Sequence, residues 1–305
     1  MSLTISKDNP FQVLIAESDD DPAQLQLRYE KHRTIRNEQQ SNKILAESFS
    51  GWTLDEVLMR LEGSAKEEGF FDPRNCLVIW ARPPSHIRDL ISVVQSELKD
   101  VAPSLWLMPL ENLHTTVLEV AHSLTESQIE DLVQTLKSST EITQAQIAEH
   151  PISHQSRLLK PMVSFDSSAM ALSFAPAAGE SSTVQSNGHD DHYTYHHLRR
   201  DIFDRVRQTG IPVASRYIVP SAHVTIARFI TQEGFQFNGT DSAGKVDHSR
   251  VKLLVDRIGD INKKLESMYW PQLDGTQPEK GEWVVGQDKL VIRRGRLWYG
   301  GGDDV

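Results

Sequence analysis

Apolar residues recur along this chain with two periods, and each period predicts an element. Ile87, Leu90, Ile91, Val94 and Leu98 fall at i, i+3, i+4, i+7 and i+11, the stripe of an amphipathic helix. Ser85 precedes it as a cap and Ala102-Pro103 closes it. Ile129, Leu132, Val133 and Leu136 repeat the pattern behind a Thr125/Gln128 capping box. Tyr195, Leu198, Ile202 and Val206 predict a helix ended by Gly210. Val251, Leu254, Val255, Ile258, Ile261 and Leu265 predict another. Thr53-Leu54-Asp55-Glu56 reads as a capping box before Leu54, Val57, Leu58 and Leu61.

Between these stripes lie short alternating or unbroken apolar runs. Residues 75–82 read as a buried strand stopped by Pro83-Pro84, and 105–108 as a short one. Residues 161–165 and 169–174 flank Asp166-Ser167-Ser168 as a hairpin. Residues 283–285, 290–292 and 297–299 read as strands, and 300–305 as a loose glycine-rich tail. Residues 177–191 are small and polar and predict a loop. Residues 1–50 are polar; a helix near Ala23, after Asp19-Asp20-Asp21-Pro22, has a thin apolar side in Leu25, Leu27 and Tyr29 and predicts a surface helix. The order of elements predicts an α+β fold of two pseudo-symmetric lobes, each an antiparallel sheet with helices, around a central cleft. The lobes span about 70–145 and 150–300 of a 51–300 domain, with 1–50 as an extension and 301–305 as the tail.

Two stretches share a pattern that carries chemistry. Pro109-Leu110-Glu111-Asn112-Leu113-His114-Thr115-Thr116-Val117-Leu118 and Pro220-Ser221-Ala222-His223-Val224-Thr225-Ile226-Ala227-Arg228 both contain histidine, any residue, threonine and an aliphatic residue. The second histidine follows the first by 109 positions (223 minus 114). Both settings favour strands, where residues two apart share a face. His114 with Thr116, and His223 with Thr225, then present an imidazole beside a hydroxyl. Two such supports facing each other suit a phosphodiester: one imidazole takes a proton, the other gives one, and the hydroxyls hold phosphate oxygens. One motif alone means little, since a strand histidine is usually structural; two in matching contexts carry the weight.

The pair resembles the 2H phosphoesterases, and the flanking text resembles a fungal RNA ligase/cyclic nucleotide phosphodiesterase-like branch. Gly51-Trp52-Thr53, Arg74-Asn75-Cys76-Leu77-Val78, Leu105-Trp106-Leu107-Met108-Pro109 and Ala169-Met170-Ala171-Leu172-Ser173-Phe174 carry that likeness over roughly residues 50 to 300. The resemblance implies the same bilobal fold and a metal-independent phosphodiesterase without cofactors. Its expected substrate is a nucleotide or RNA end carrying a terminal 2′,3′-cyclic phosphate. It implies His114 as acid and His223 as base; the near-symmetric motifs leave that choice open. A 3′-end RNA exonuclease, or a nucleotide-binding module without turnover, is the alternative; a ligase is ranked below both.

Charge and composition narrow the partners. A net charge of −10 over 305 residues argues against a binder of long duplex nucleic acid. No apolar run is long enough to span a bilayer, and Met1 to Asp8 has no secretory pattern. Cys76 is the single cysteine, which favours a reducing cytoplasmic or nuclear setting. A monomer is expected.

Further residues are weaker candidates. Arg228 directly follows the second motif, a place from which a guanidinium can clamp a substrate phosphate, but unless a bulge intervenes strict alternation turns it to the face opposite His223 and predicts a structural ion pair. By the same rule Glu119 turns away from His114. Tyr217, Trp80 and Trp106 are candidates to stack a base; apolar neighbours make core packing the better reading for the two tryptophans. His189, Asp190, Asp191, His192, His196 and His197 resemble a metal cluster, but a polar loop feeding a helix is the plainer reading. Arg293, Arg294 and Arg296 beside Gly295 read as a solvated turn.

Overall fold

The computed structural model describes residues 8–180, 190–237, 244–272 and 280–305. Among them the strands form one curled antiparallel sheet. These are β1 (Asn75–Ala81), β2 (Trp106–Leu107), β3 (Thr115–Leu124), β4 (Ser156–Phe165), β5 (Ala169–Pro176), β6 (Ala222–Arg228), β7 (Trp283–Val285), β8 (Val291–Gly295) and β9 (Asp303–Asp304). Their order is β7-β4-β5-β6-β3-β1-β8-β9, with β2 beside β6. The two motif-bearing strands, β6 and β3, thus meet at the centre with three further strands outside each. This is an α+β fold of two sheet halves. The outer strands β8 and β9 of the β3 half come from the chain's C-terminal end.

The periodic stripes become helices α4 (Ser85–Val101), α5 (Glu126–Ser138), α8 (Tyr195–Gln208) and α9 (His248–Tyr269), with the short α6 (Gln144–Ala148) and α7 (His150–Ser153) between α5 and β4. Their stripes are buried, for example Ile87, Leu90, Ile91, Val94 and Leu98 on α4. The Thr125/Gln128 capping box forms as expected. The Thr53 box does not. Helix α3 (Glu56–Leu61) is capped by Asp55, which accepts from the Leu58 amide, while Thr53 is drawn to Ser167 by backbone and hydroxyl hydrogen bonds. The hairpin turn between β4 and β5 is held by Asp166, whose Oδ1 accepts from the Ser168 and Ala169 amides.

Helix α1 (Pro10–Glu17) and α2 (Pro22–Leu45) open the described chain. Where the thin apolar stripe predicts a surface helix, α2 buries Leu25, Tyr29, Arg33, Asn37 and Ile44. Backbone groups satisfy Asn37, which bridges the Val163 carbonyl and the Phe165 amide, and take one nitrogen of Arg33. His196 of α8, fully buried, donates Nε2–H to the Phe11 carbonyl and accepts at Nδ1 from the Tyr29 hydroxyl. Both N-terminal helices are tied to the body by that ring. At the other end Asp303 and Asp304 add β9 to β8, with an Arg293–Asp304 ion pair of 2.6 Å. Residues 297–299, predicted as a strand, form a turn whose side chains close over β1.

Candidate active site

The two motifs meet across the central seam. Thr115 of β3 pairs with Val224 of β6 in the antiparallel ladder. Continued one step each way, that register sets Thr116 opposite His223 and His114 opposite Thr225. Opposite residues in such a ladder share a face. Thr115 and Val224 are buried on the far side, where Thr115 meets the Tyr195 hydroxyl of α8. His114, Thr116, His223 and Thr225 are half-buried and line one cleft of about 180 Å³.

Each strand then departs from alternation at the same place. In the β1–β3 pairing Trp80 faces Thr116 and Ile79 faces Leu118, so Val117 is passed over. In the β5–β6 pairing Ala171 faces Thr225 and Met170 faces Ala227, so Ile226 is passed over. Such a bulge inserts one residue and re-aims the next side chains. Glu119 and Arg228, each three positions past its motif threonine, return to the cleft and line it. This corrects the strict-alternation reading of both. Arg228 also makes the expected ion pair, with Asp55 at 3.2 Å. Glu119 takes the Arg216 guanidinium at both oxygens, 2.7 and 3.1 Å.

The rings are held from behind. His114 Nδ1–H donates to the Asn112 carbonyl at 2.8 Å, and its ring stacks on Trp80 at 3.7 Å with planes 16° apart. Its Nε2 has no hydrogen-bond partner among the described residues. His223 has Ser221 Oγ at Nδ1, 2.9 Å, and the Tyr217 hydroxyl at Nε2, 3.0 Å. Burial raises the Tyr217 pKa, so the phenol keeps its proton and, like the Ser221 hydroxyl, can donate to or accept from the ring. The Asn112 carbonyl fixes His114 as the Nδ1–H tautomer, whereas the two hydroxyls beside His223 satisfy either tautomer.

Burial is the main cause that lowers both imidazole pKa values. His114 is pushed down to about 3, against the pull of the Asn112 carbonyl and with Arg82, His223 and Arg293 adding repulsion. His223 is pushed down to about 4, with Arg199, Arg36, His32 and Arg228 adding to the effect of burial. Without an anion beside them both rings are neutral near pH 7. Burial, which no local stretch of sequence shows, outweighs the neighbouring guanidinium groups in setting this resting state.

Tyr217 sits on a loop anchored by Arg199, a fully buried residue of α8 whose guanidinium donates to the carbonyls of Val219, Tyr217 and Val117. Trp80 is buried beneath His114, and Trp106 lies in the main core with its indole N–H on Glu62. Trp298 was missed. It is half-buried, lines the cleft with Cys76, Val78 and Leu297, and lies under the Arg74 guanidinium at 4.2 Å. Its signal was the Trp298-Tyr299 pair ahead of three glycines. The histidine run diverges. His189 lies outside the described residues, Asp191 holds Arg157 at 2.7 Å, and Asp190 accepts from the His192 amide. His196 faces Phe11 and Tyr29, and His197 pairs with Asp20 at 2.6 Å. Arg293 and Arg294 belong to β8 and pair with Asp304 and Glu130, while Arg296 lies over the Phe71 ring.

No protein-family model matches the sequence, and no curated protein sequence matches it. Solved structures that align with the chain include the conserved protein of unknown function ATU0111 from Agrobacterium tumefaciens str. C58, at 12% identity and TM-score 0.46, covering 87% of this chain and 97% of that one. Usb1 from Kluyveromyces marxianus aligns at 13% identity and TM-score 0.34, covering 72% and 97%. Both are distant likenesses.

Proposed function

We propose that this chain is a metal-independent phosphodiesterase that hydrolyses the 2′,3′-cyclic phosphate of a nucleotide or RNA end by two-histidine acid–base catalysis. The observation that carries the reading is the register of the two motifs, which turns two imidazoles and two threonine hydroxyls into one cleft. The likeness of those motifs to the 2H phosphoesterases agrees with it.

The chemistry follows from the hydrogen bonds. A cyclic phosphate monoanion enters between the rings and accepts from the Thr116 and Thr225 hydroxyls, whose bonds strengthen as charge grows on the nonbridging oxygens. Its charge also offsets the burial that keeps the imidazoles neutral, so one proton enters with it. The likeness of the motifs to the 2H phosphoesterases assigns that proton to His114, although in the free chain His223 is the less depressed ring. The Asn112 carbonyl behind its Nδ1–H can only accept, and so favours imidazolium. His223 is backed by hydroxyls that suit the neutral ring and stays the base. Water attacks phosphorus and gives a proton to His223 Nε2, once the Tyr217 hydroxyl yields that position. The P–O bond to one ribose oxygen breaks, and His114 Nε2–H protonates the departing oxygen. The product is a phosphomonoester, and solvent returns the proton from His223 to His114.

Arg228 and Tyr217 border the same space and are assigned to substrate binding. Trp298, with Cys76 and Val78, offers an apolar wall for a nucleobase; stacking of this kind is worth about 1–3 kcal/mol per base. A second reading, a 3′-end RNA exonuclease with a ribose 2′-hydroxyl as attacking group, uses the same four residues. It is favoured by the continuation of the cleft past His223. Incubation with nucleoside 2′,3′-cyclic phosphates and 3′-end-labelled oligonucleotides separates the two by product mass. Binding without product from either would instead leave a nucleotide-binding module.

A further inference from the structure

The cleft continues beyond His223 into a second chamber of about 270 Å³, over the β4–β5 hairpin. Tyr217, His223, Thr225 and Arg228 border both spaces. The wall of the second chamber is α2, which presents His32, Arg33 and Arg36 at spacings that share a helix face.

Of these, Arg33 and His32 have no acidic partner within ion-pair distance among the described residues. Arg33 is 4% exposed and makes no ion pair among the described residues. Its Nη1 donates to the carbonyls of Lys160 and Ser173, it lies 5.2 Å from the Trp270 ring, and its Nε and Nη2 have no hydrogen-bond partner. A buried guanidinium in that condition is costly unless a counter-charge completes it. His32 is half-buried and has no hydrogen-bond partner among the described residues. Arg36 reaches Asp166 at 2.7 Å. Asp166 is the one carboxylate among the chamber's lining residues, and it already accepts from the Ser168 amide and hydroxyl and the Ala169 amide. Asp166 balances Arg36 and Asp55 balances Arg228, so the buried Arg33, with His32 beside it, leaves the chamber cationic in a chain of net charge −10.

We infer that this chamber is a second phosphate site, which takes the phosphate on the 5′ side of the nucleoside whose cyclic phosphate lies between His114 and His223. The inference rests on the phosphodiesterase reading for the identity of its neighbour. It gives α2 a role in substrate selection: Arg36 and His32 contact the phosphate, and Arg33 supplies charge from beneath. A 5′-monophosphate and the linking phosphate of an oligonucleotide offer the same oxygens, and the arms of the test distinguish them.

Binding is read first without turnover, by calorimetry with adenosine 3′-monophosphate and adenosine 3′,5′-bisphosphate. The wild-type chain is expected to prefer the bisphosphate by about tenfold or more, the worth of one charge-assisted hydrogen bond. Arg36→Gln and His32→Gln are expected to remove most of that preference while circular dichroism shows the fold intact. Equal binding of both ligands by the wild type, or an unchanged preference in both variants, overturns the inference. Turnover of adenosine 2′,3′-cyclic phosphate is then compared with that of its 5′-phosphate and of the dinucleotide ApA with the same cyclic end. A gain for both extended substrates assigns the site to any 5′ phosphate; a gain for the dinucleotide alone assigns it to a linking phosphate. Bisphosphate preference with no turnover of any substrate leaves the chamber standing and refutes the phosphodiesterase reading. Turnover without preference does the reverse.

Discussion

Thr115 pairs with Val224 across the seam of the sheet, and that pairing puts both motifs in one frame. His114 and His223, Thr116 and Thr225, and Glu119 and Arg228 are each 109 positions apart and are related by the approximate two-fold of the seam. A slip of one residue on either strand would carry its histidine to the helical core. The site is therefore composite: neither half holds it alone.

Gly300 tests the support behind His114. Its φ is +93°, and a Cβ there would stand 2.1 Å from Cγ of Asn112, the residue whose carbonyl holds the His114 ring. Gly300→Ala should lower stability by about 1–3 kcal/mol and lower kcat by displacing Asn112. Gly69→Ala is the control: φ is +78° with nothing within 4 Å, so strain acts there without touching the site. Equal effects of the two substitutions on kcat would show that Asn112 positions nothing.

The imidazole pKa values should move with phosphate. Nitrogen-15 NMR of the free chain should find both His114 and His223 neutral down to about pH 5, with His223 half protonated at about pH 4 and His114 at about pH 3. Saturation with a nonhydrolysable phosphate monoanion should raise at least one of them, since the bound charge favours imidazolium. The productive free form carries one proton on the pair, so kcat/KM should fall as pH rises through neutrality, and the falling limb of kcat should lie higher. Titrations that coincide with and without the anion would refute the coupling.

Much of this was legible in the sequence. The stripes of α4, α5 and α9 and the alternation of the hairpin are local patterns, and each formed where its period placed it. The motif strands were legible for the same reason. The bulges at Val117 and Ile226 are not, because one extra residue in a ladder leaves no mark on hydropathy; strict alternation therefore turns Glu119 and Arg228 away from the cleft they line. Helix α2 looked too polar to be buried. Arg33 and Asn37 are buried because carbonyls of β4 and β5 accept from them, a match between distant segments that no local window contains.

Acid should destabilise the fold early. His114, His196 and His223 all have folded-state pKa values lowered by burial, to about 3 for His114 and His196 and about 4 for His223. The unfolded chain binds those protons below about pH 6.5 and the folded chain does not. Stability should therefore be full above pH 6.5 and fall as pH drops from 6.5 toward 4. Urea unfolding at pH 7, 6, 5 and 4 measures this, and a midpoint unchanged between pH 7 and 5 would contradict it.

Chelation should leave turnover intact. Among the described residues no three His, Cys, Asp or Glu side chains gather as a metal-binding group, and the cleft carboxylate Glu119 is occupied by Arg216. Full activity after EDTA dialysis is expected. Loss of activity restored by Zn²⁺ or Mg²⁺ would assign the chemistry to a metal.

The paired-histidine site is tested most directly by turnover of nucleoside 2′,3′-cyclic phosphates by the wild-type chain, His114→Ala and His223→Ala, with products resolved by mass. The wild type should open the ring to a phosphomonoester. Each variant should fold and lose about 10²- to 10⁴-fold in kcat/KM, the usual worth of a positioned acid or base. Near-full activity in either variant, or no product from the wild type with any base, would contradict it.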